Sequence, residues 1–148
     1  FRRVLFRSEG ARVSLVSRSA TNLANACARL TAFDSSRIQT FAADLTQADA
    51  ALAALNAAKA GFGDIDVLVN SAGAAKRTPA PELTPQAWHD AMQAKYFSYI
   101  HMIDLVIQQM AQRGQGSIVN VVGNGGKVAS TIHLPGGAAN ARGGCRRT

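Results

Sequence analysis

The 148-residue sequence predicts an α/β domain on a doubly wound parallel sheet, incomplete at both ends, and three observations carry that prediction. Short runs rich in β-branched residues alternate with longer stretches of helical periodicity. The run Ile65-Asp66-Val67-Leu68-Val69-Asn70 is nearly continuous in apolar character after Asp66, as a strand covered on both faces would be. The order reads β-α-β-α-β-α-β, with intervals that suit right-handed parallel crossovers.

Val13-Ser14-Leu15-Val16-Ser17 is a compact strand between Gly10 and the polar pair Arg18-Ser19. Ala20 to Leu30 is rich in alanine and leucine, with Leu23, Cys27 and Leu30 on one helical face. Ile38 to Ala43 is a second strand. Thr46 is placed to cap a helix from Gln47 to Ala60, with Gly61 ending it. After the third strand, Ile65 to Asn70, a polar, proline-containing loop leads to Thr84-Pro85, a cap and N1 proline in their preferred places. From there Trp88, Met92, Tyr96, Tyr99, Ile103, Val106 and Met110 recur at helical spacing down to Arg113, where Gly114 stops the helix. Ile118 to Val122 is a fourth strand, a glycine-rich loop follows, and Gly137 to Ala141 begins another helix.

Hydrophobic residues make up 47% of the chain and charged residues 17%, which excludes wholesale disorder. No apolar run approaches the roughly 20 residues of a membrane span. Cys27 and Cys145 have no ligand-like spacing, so neither a disulfide framework nor a metal site is expected, and a reduced, cytoplasmic setting is the default. The net charge of +7 would suit a nucleic-acid binder, but it belongs to the ends. Between Glu9 and Ala141 stand ten basic and nine acidic side chains. The first eight residues, Phe1 to Ser8, resemble a translated sequencing adapter. Residues 142–148 lose the apolar periodicity before them. The expected organisation is therefore a non-native segment over 1–8, a partial domain over 9–141 and a non-native basic tail over 142–148.

Four segments in register sharpen the reading. Asp66-Val67-Leu68-Val69-Asn70-Ser71-Ala72-Gly73 resembles the strand and Asn-x-Ala-Gly element of the short-chain dehydrogenase/reductase family. Ala43-Asp44-Leu45-Thr46 resembles its Asp-hydrophobic pair, and Ser117 to Val122 the strand that leads to its catalytic serine. The helix carrying Trp88 completes the set, so the resemblance spans Ala11 to Ala141. It implies a Rossmann-like fold lacking its first strand and its C-terminal strands, and an NAD(P)-dependent oxidoreductase acting on a carbonyl or alcohol. It also implies that Asp44, Leu45, Asn70, Ser71, Ala72 and Gly73 bind the cofactor, the small Ala72 and Gly73 admitting it close to the backbone. Ser17 stands where an acid would favour NAD, and Arg18 follows it, which points to NADP with NAD as the alternative. A homo-oligomer paired through the long helix is the implied assembly, with no nucleic-acid or membrane partner.

The family's catalytic groups are not where the resemblance would put them. Aligned on Ile118-Val119-Asn120, the serine position holds Gly123, the tyrosine Gly136 and the lysine Asn140; anchored on Trp88, the helix asparagine is Lys95. No Tyr-x-x-x-Lys occurs in the chain, and nothing before Val13 supplies a glycine-rich phosphate loop. Gly123-Asn124-Gly125-Gly126 follows the fourth strand and reads as an active-site loop. Two readings follow. One is a fragment of a reductase with displaced catalytic groups, for which Lys95 and His133 are the candidate acids. The other is a non-catalytic relative that keeps the fold for cofactor sensing or partner binding.

Overall fold

The computed structural model describes residues 10–30, 34–73, 76–128 and 130–143. The adapter-like segment 1–8 and residues 144–148 of the basic tail lie outside them. The chain forms two compact units, with the boundary between Asp64 and Ile65. Among the described residues no helix is long and apolar enough to cross a membrane.

The first unit comprises β1 (Val13–Ser17), α1 (Ala20–Ala28), β2 (Ile38–Ala42) and α2 (Ala48–Phe62). β1 and β2 pair in parallel, from Val13 opposite Ile38 to Ser17 opposite Ala42, as a helical crossover requires. Leu15, Leu23 and Leu30 are buried together, with Val13, Ala26 and Ile38 packed on them. Cys27 lies half-buried as a free thiol. On the other helix Ala51, Ala54, Leu55 and Ala58 are buried.

α2 departs from expectation at both ends. Its N-cap is Gln47, not Thr46, because the Thr46 amide donates to Asp44 Oδ1 at 3.0 Å and is held in a turn of its own. It also runs through Gly61. The Gln39 side chain donates to Ser14 Oγ at 2.7 Å and to the Ala58 carbonyl at 2.8 Å, filling the space a Cβ at 61 would need. Gly61 is thus a packing glycine, and Gly63, at φ +82°, ends the helix.

The second unit comprises β3 (Val67–Asn70), α3 (Pro85–Met92), a π turn over Gln93–Phe97, α4 (Ser98–Arg113), β4 (Ser117–Asn120) and α5 (Leu134–Gly143). β3 and β4 are parallel, with Val67 opposite Ser117 and Asn70 opposite Asn120. Thr84 caps α3, its Oγ1 accepting from the Ala87 amide at 3.1 Å, and Gly114 ends α4 at φ +68°. α4 packs Tyr99, Met102, Val106 and Met110 toward the two strands.

Here too the structure corrects three expectations. Trp88 is 38% exposed and stands outside the buried stripe. β3 is not covered on both faces: Leu68 and Asn70 are buried, whereas Val67 and Val69 are 44% and 37% exposed, the period-two alternation of a strand packed on one side. α5 starts at Leu134, before the expected Gly137, and takes in Arg142 and Gly143. Its poor intrinsic helix propensity is offset by packing, since Pro135, Gly136, Ala139, Asn140 and Gly143 are all buried.

Candidate active site

β3 and β4 end together on a pair of asparagines. Asn70 Nδ2 donates to Asn120 Oδ1 at 3.0 Å, and the Val121 amide donates to the Asn70 carbonyl at 2.8 Å. Asn70, expected to bind cofactor, thus also ties the strand ends. Beyond this rung β4 stops short of the expected Val122, because the Val121 carbonyl turns to side chains of the neighbouring helix. It accepts from Lys95 Nζ at 2.9 Å and from Tyr99 Oη at 2.7 Å.

Lys95 reaches that carbonyl because it lies in the π turn, an insertion that turns side chains away from their regular helical direction. The Ser98 hydroxyl lies within bonding reach of the Ala94 and Lys95 carbonyls, at 3.2 and 3.0 Å, and so compensates for the locally irregular backbone. Lys95 Nζ also donates to Tyr99 Oη at 2.6 Å and to the Ala72 carbonyl at 3.3 Å. Its ammonium therefore bridges the carboxyl ends of both strands. Burial lowers the Lys95 pKa and pushes the Tyr99 phenol up to about 12. Gly73, at φ +110°, lies against this turn. A Cβ there would stand 2.9 Å from the Ala94 carbonyl oxygen and 2.8 Å from Lys95 Cδ. Its smallness serves an approach within the protein as well as any approach of a ligand.

The three positions that would hold serine, tyrosine and lysine are joined by one side-chain amide. Asn140 Oδ1 accepts from the Gly123 amide at 2.7 Å, and Asn140 Nδ2 donates to the Gly136 carbonyl at 2.7 Å. The turn at Asn124–Gly126 is pressed onto α5. A Cβ on Gly137 would stand 2.8 Å from the Gly125 carbonyl oxygen, and one on Gly126 would stand 2.8 Å from the Ala141 nitrogen.

His133 occupies the N-cap position of α5, its carbonyl accepting from the Gly137 amide at 2.8 Å. Its imidazole lies over Gly136, so that a Cβ on residue 136 would meet Nε2 at 2.6 Å. Ring and side chain compete for one space. Nδ1 is buried without a hydrogen-bond partner among the described residues, a state a polar atom rarely keeps once its site is filled.

Lys95 and His133, chosen separately from the sequence, line the same cleft of about 530 Å³. Gly73, Gly123, Gly136 and Asn140 line it too, while α3 and the segment before it contribute Thr78, Thr84, Gln86 and Asp90. The carboxyl ends of parallel strands are where such folds bind ligands. Ser71 is exposed beside Ala72 on the loop leaving β3.

In the first unit, Arg18, Asp44 and Leu45 follow the carboxyl ends of β1 and β2, which the Ala43 amide joins by donating to the Ser17 carbonyl at 3.0 Å. Arg18 is exposed. The Thr46 amide holds the Asp44 carboxyl below the ordinary carboxylate range; partial burial opposes this, and the Thr46 hydroxyl and the Arg18 guanidinium add to it. An exposed guanidinium that donates beside an ionised carboxylate that accepts is a pair of groups that fits a phosphorylated adenosine.

Sequence reasoning assigns Tyr99 to the packing stripe and gives Ser98, Asn120 and the Asn140 amide no role. The signal for Tyr99 was its spacing: a lysine four residues before a tyrosine on one helix puts the two on one face.

The chain matches the short chain dehydrogenase family over residues 4–139. It is 35% identical over 129 residues to the D-threitol dehydrogenase of Mycolicibacterium smegmatis, covering 87% of this chain and 49% of that protein. It is 32% identical over 127 residues to the gluconate 5-dehydrogenase of Gluconobacter oxydans, covering 86% and 48%. Among solved structures it is similar to the NADPH-bound short chain oxidoreductase of Pseudomonas aeruginosa PAO1 described as containing an atypical catalytic center. There the identity is 28% and the TM-score 0.84, covering 93% of this chain and 54% of that one. The chain thus spans about half the length of the curated relatives it matches. With the Asn70–Gly73 element, the paired strand ends and the parallel crossovers on one chain, it belongs to the short-chain dehydrogenase family.

Proposed function

We propose that the whole protein is an NADP-dependent oxidoreductase that interconverts a carbonyl and an alcohol on a small polyhydroxylated substrate, with His133 as the proton donor and acceptor. One observation carries the reading: Lys95 and His133 line one cleft at the carboxyl ends of β3 and β4, where the tyrosine position is vacated for the imidazole. Bound NADPH would supply the hydride. The chain's own groups do the rest. The imidazole, at the first turn of α5, donates a proton to the carbonyl oxygen in reduction and takes it back in oxidation. The Asn140 bridge fixes the backbone at Gly123 and Gly136, so the ring keeps its direction. Arg18 meets the 2′-phosphate, Asp44 and Leu45 the adenine, and Asn70, Ser71, Ala72 and Gly73 the cofactor beside β3. The polyhydroxylated class is supported by relatives named for threitol and gluconate. A cytoplasmic homo-oligomer is the proposed state, with the exposed Phe97 and Ile107 on or beside α4 offering it an apolar face.

The test is NADPH oxidation by the full-length protein against a panel of oxo-sugars and oxo-acids, with NADH in parallel. The reading expects turnover with NADPH in preference to NADH. NADPH binding without turnover of any panel member would overturn it in favour of a cofactor-binding, non-catalytic protein.

A further inference from the structure

We infer that the Lys95 ammonium makes the cleft select a substrate bearing a carboxylate, a hydroxy acid or its oxo form, over the neutral polyol of the same carbon skeleton. The inference rests on the reading of this cleft as the substrate site. Lys95 lines the cleft half-buried, and its three N–H groups go to the Ala72 carbonyl, the Val121 carbonyl and Tyr99 Oη. All three acceptors are neutral. The hydrogen bonds are satisfied and the charge is not, because among the described residues no carboxylate forms an ion pair with Lys95. A partly buried cation without a counter-charge is costly, and the fall in its pKa by burial expresses that cost.

The cleft does hold carboxylates, but they stand elsewhere in the dielectric. Glu82 and Asp90 are exposed, and Asp90 Oδ1 already accepts from Gln86 Nε2 at 2.8 Å. Charges in contact with water are screened, whereas a half-buried one acts through a lower effective dielectric. An anion entering the cleft therefore gains more from Lys95 than it loses to the acids. The 3.3 Å bond to the Ala72 carbonyl is the longest of the three, and its proton is the one a carboxylate would take over. A neutral polyol leaves the ammonium uncompensated.

Matched pairs of ligands test this on the full-length protein saturated with NADP: gluconate against glucitol, and threonate against threitol, by calorimetry and by turnover. The acid of each pair is expected to bind at least about tenfold tighter, to keep that preference at high ionic strength, and to lose it in Lys95→Met but not in Lys95→Arg. Equal affinity within both pairs would overturn the inference, and turnover of the polyols would then leave the oxidoreductase reading standing. A preference that vanished in salt would assign it to the exposed Lys76 and also overturn the inference. Binding of NADP with no binding of any of the four would overturn both. Should Lys95→Met fail to fold, the wild-type ratios and their salt dependence still decide.

Discussion

Lys95 and Tyr99 hold their titrating protons against opposite pressures, and stability should register both. Burial lowers the lysine's pKa, so the folded state releases its proton before the unfolded chain does, near 10. Stability should rise as pH approaches about 10 from below. The phenol works the other way: the unfolded tyrosine ionises near 10 while the folded one holds its proton to about 12, so stability should fall over that interval. Chemical denaturation across this range should show a maximum near 10. Lys95→Met should remove the ascending limb. A steady decline from neutral pH in the wild type would contradict the assignment. Arg18 makes a separate prediction: Arg18→Ala should cut the preference for NADPH over NADH by about tenfold or more, the loss of one charge-assisted phosphate contact. Equal discrimination before and after the change would remove Arg18 from the cofactor's phosphate. Of these residues, Arg18 and Asp44 could be singled out in the sequence because their types and positions follow a known pattern, and Lys95 because it stands where that pattern has an asparagine. Tyr99 was harder to single out as polar machinery: its spacing from Lys95 puts the two on one face, but its ring obeys the spacing of the packing stripe as well.

At the scale of elements, glycine is the instrument that rebuilds the site. Three glycines between 123 and 126 and two at 136 and 137 let the turn after β4 and the first turns of α5 approach within backbone contact. The obstacles differ in kind, and the variants should separate accordingly. Gly137→Ala and Gly126→Ala set a methyl against backbone atoms that cannot move cheaply, and each should cost about 1–3 kcal/mol in thermal or chemical melts. Gly136→Ala meets the His133 ring first, at 2.6 Å from Nε2 and 2.8 Å from Cε1. It should cost less stability and more activity, because the ring is displaced and the fold is not. An alanine at 136 that kept activity intact would separate the imidazole from the chemistry. The bounds of β1 and the capping of α3 by Thr84 were legible in the sequence, since each depends on a few adjacent residues. The π turn was not. It depends on the Ser98 hydroxyl near two helix carbonyls and on Gly73 approaching from a loop about twenty residues away in sequence. Helix α5 was half-legible, its early start being paid for by burial that no local pattern announces.

For the whole molecule, the alternation of strands and helices named the fold class because parallel pairing demands crossovers, and both strand pairs are parallel. The family followed from four motifs in register, and residues 4–139 match it. The chemistry was harder to read because the family's own signature positions carry glycine and asparagine, and the proposed proton donor is recognised only by what fills the space over Gly136. A tyrosine on the third residue of a helical segment and a histidine at its cap are unrelated as strings; they are alternatives only in three dimensions. We propose that the imidazole of His133 performs the proton transfer that a tyrosine at position 136 would have performed. The most direct measurement pairs the NADPH dissociation constant with kcat for carbonyl reduction in full-length wild type and His133→Gln. In the variant kcat should fall by about 10²–10⁴-fold while NADPH affinity changes by less than about twofold. An unchanged kcat in the variant, at equal NADPH affinity, would contradict it.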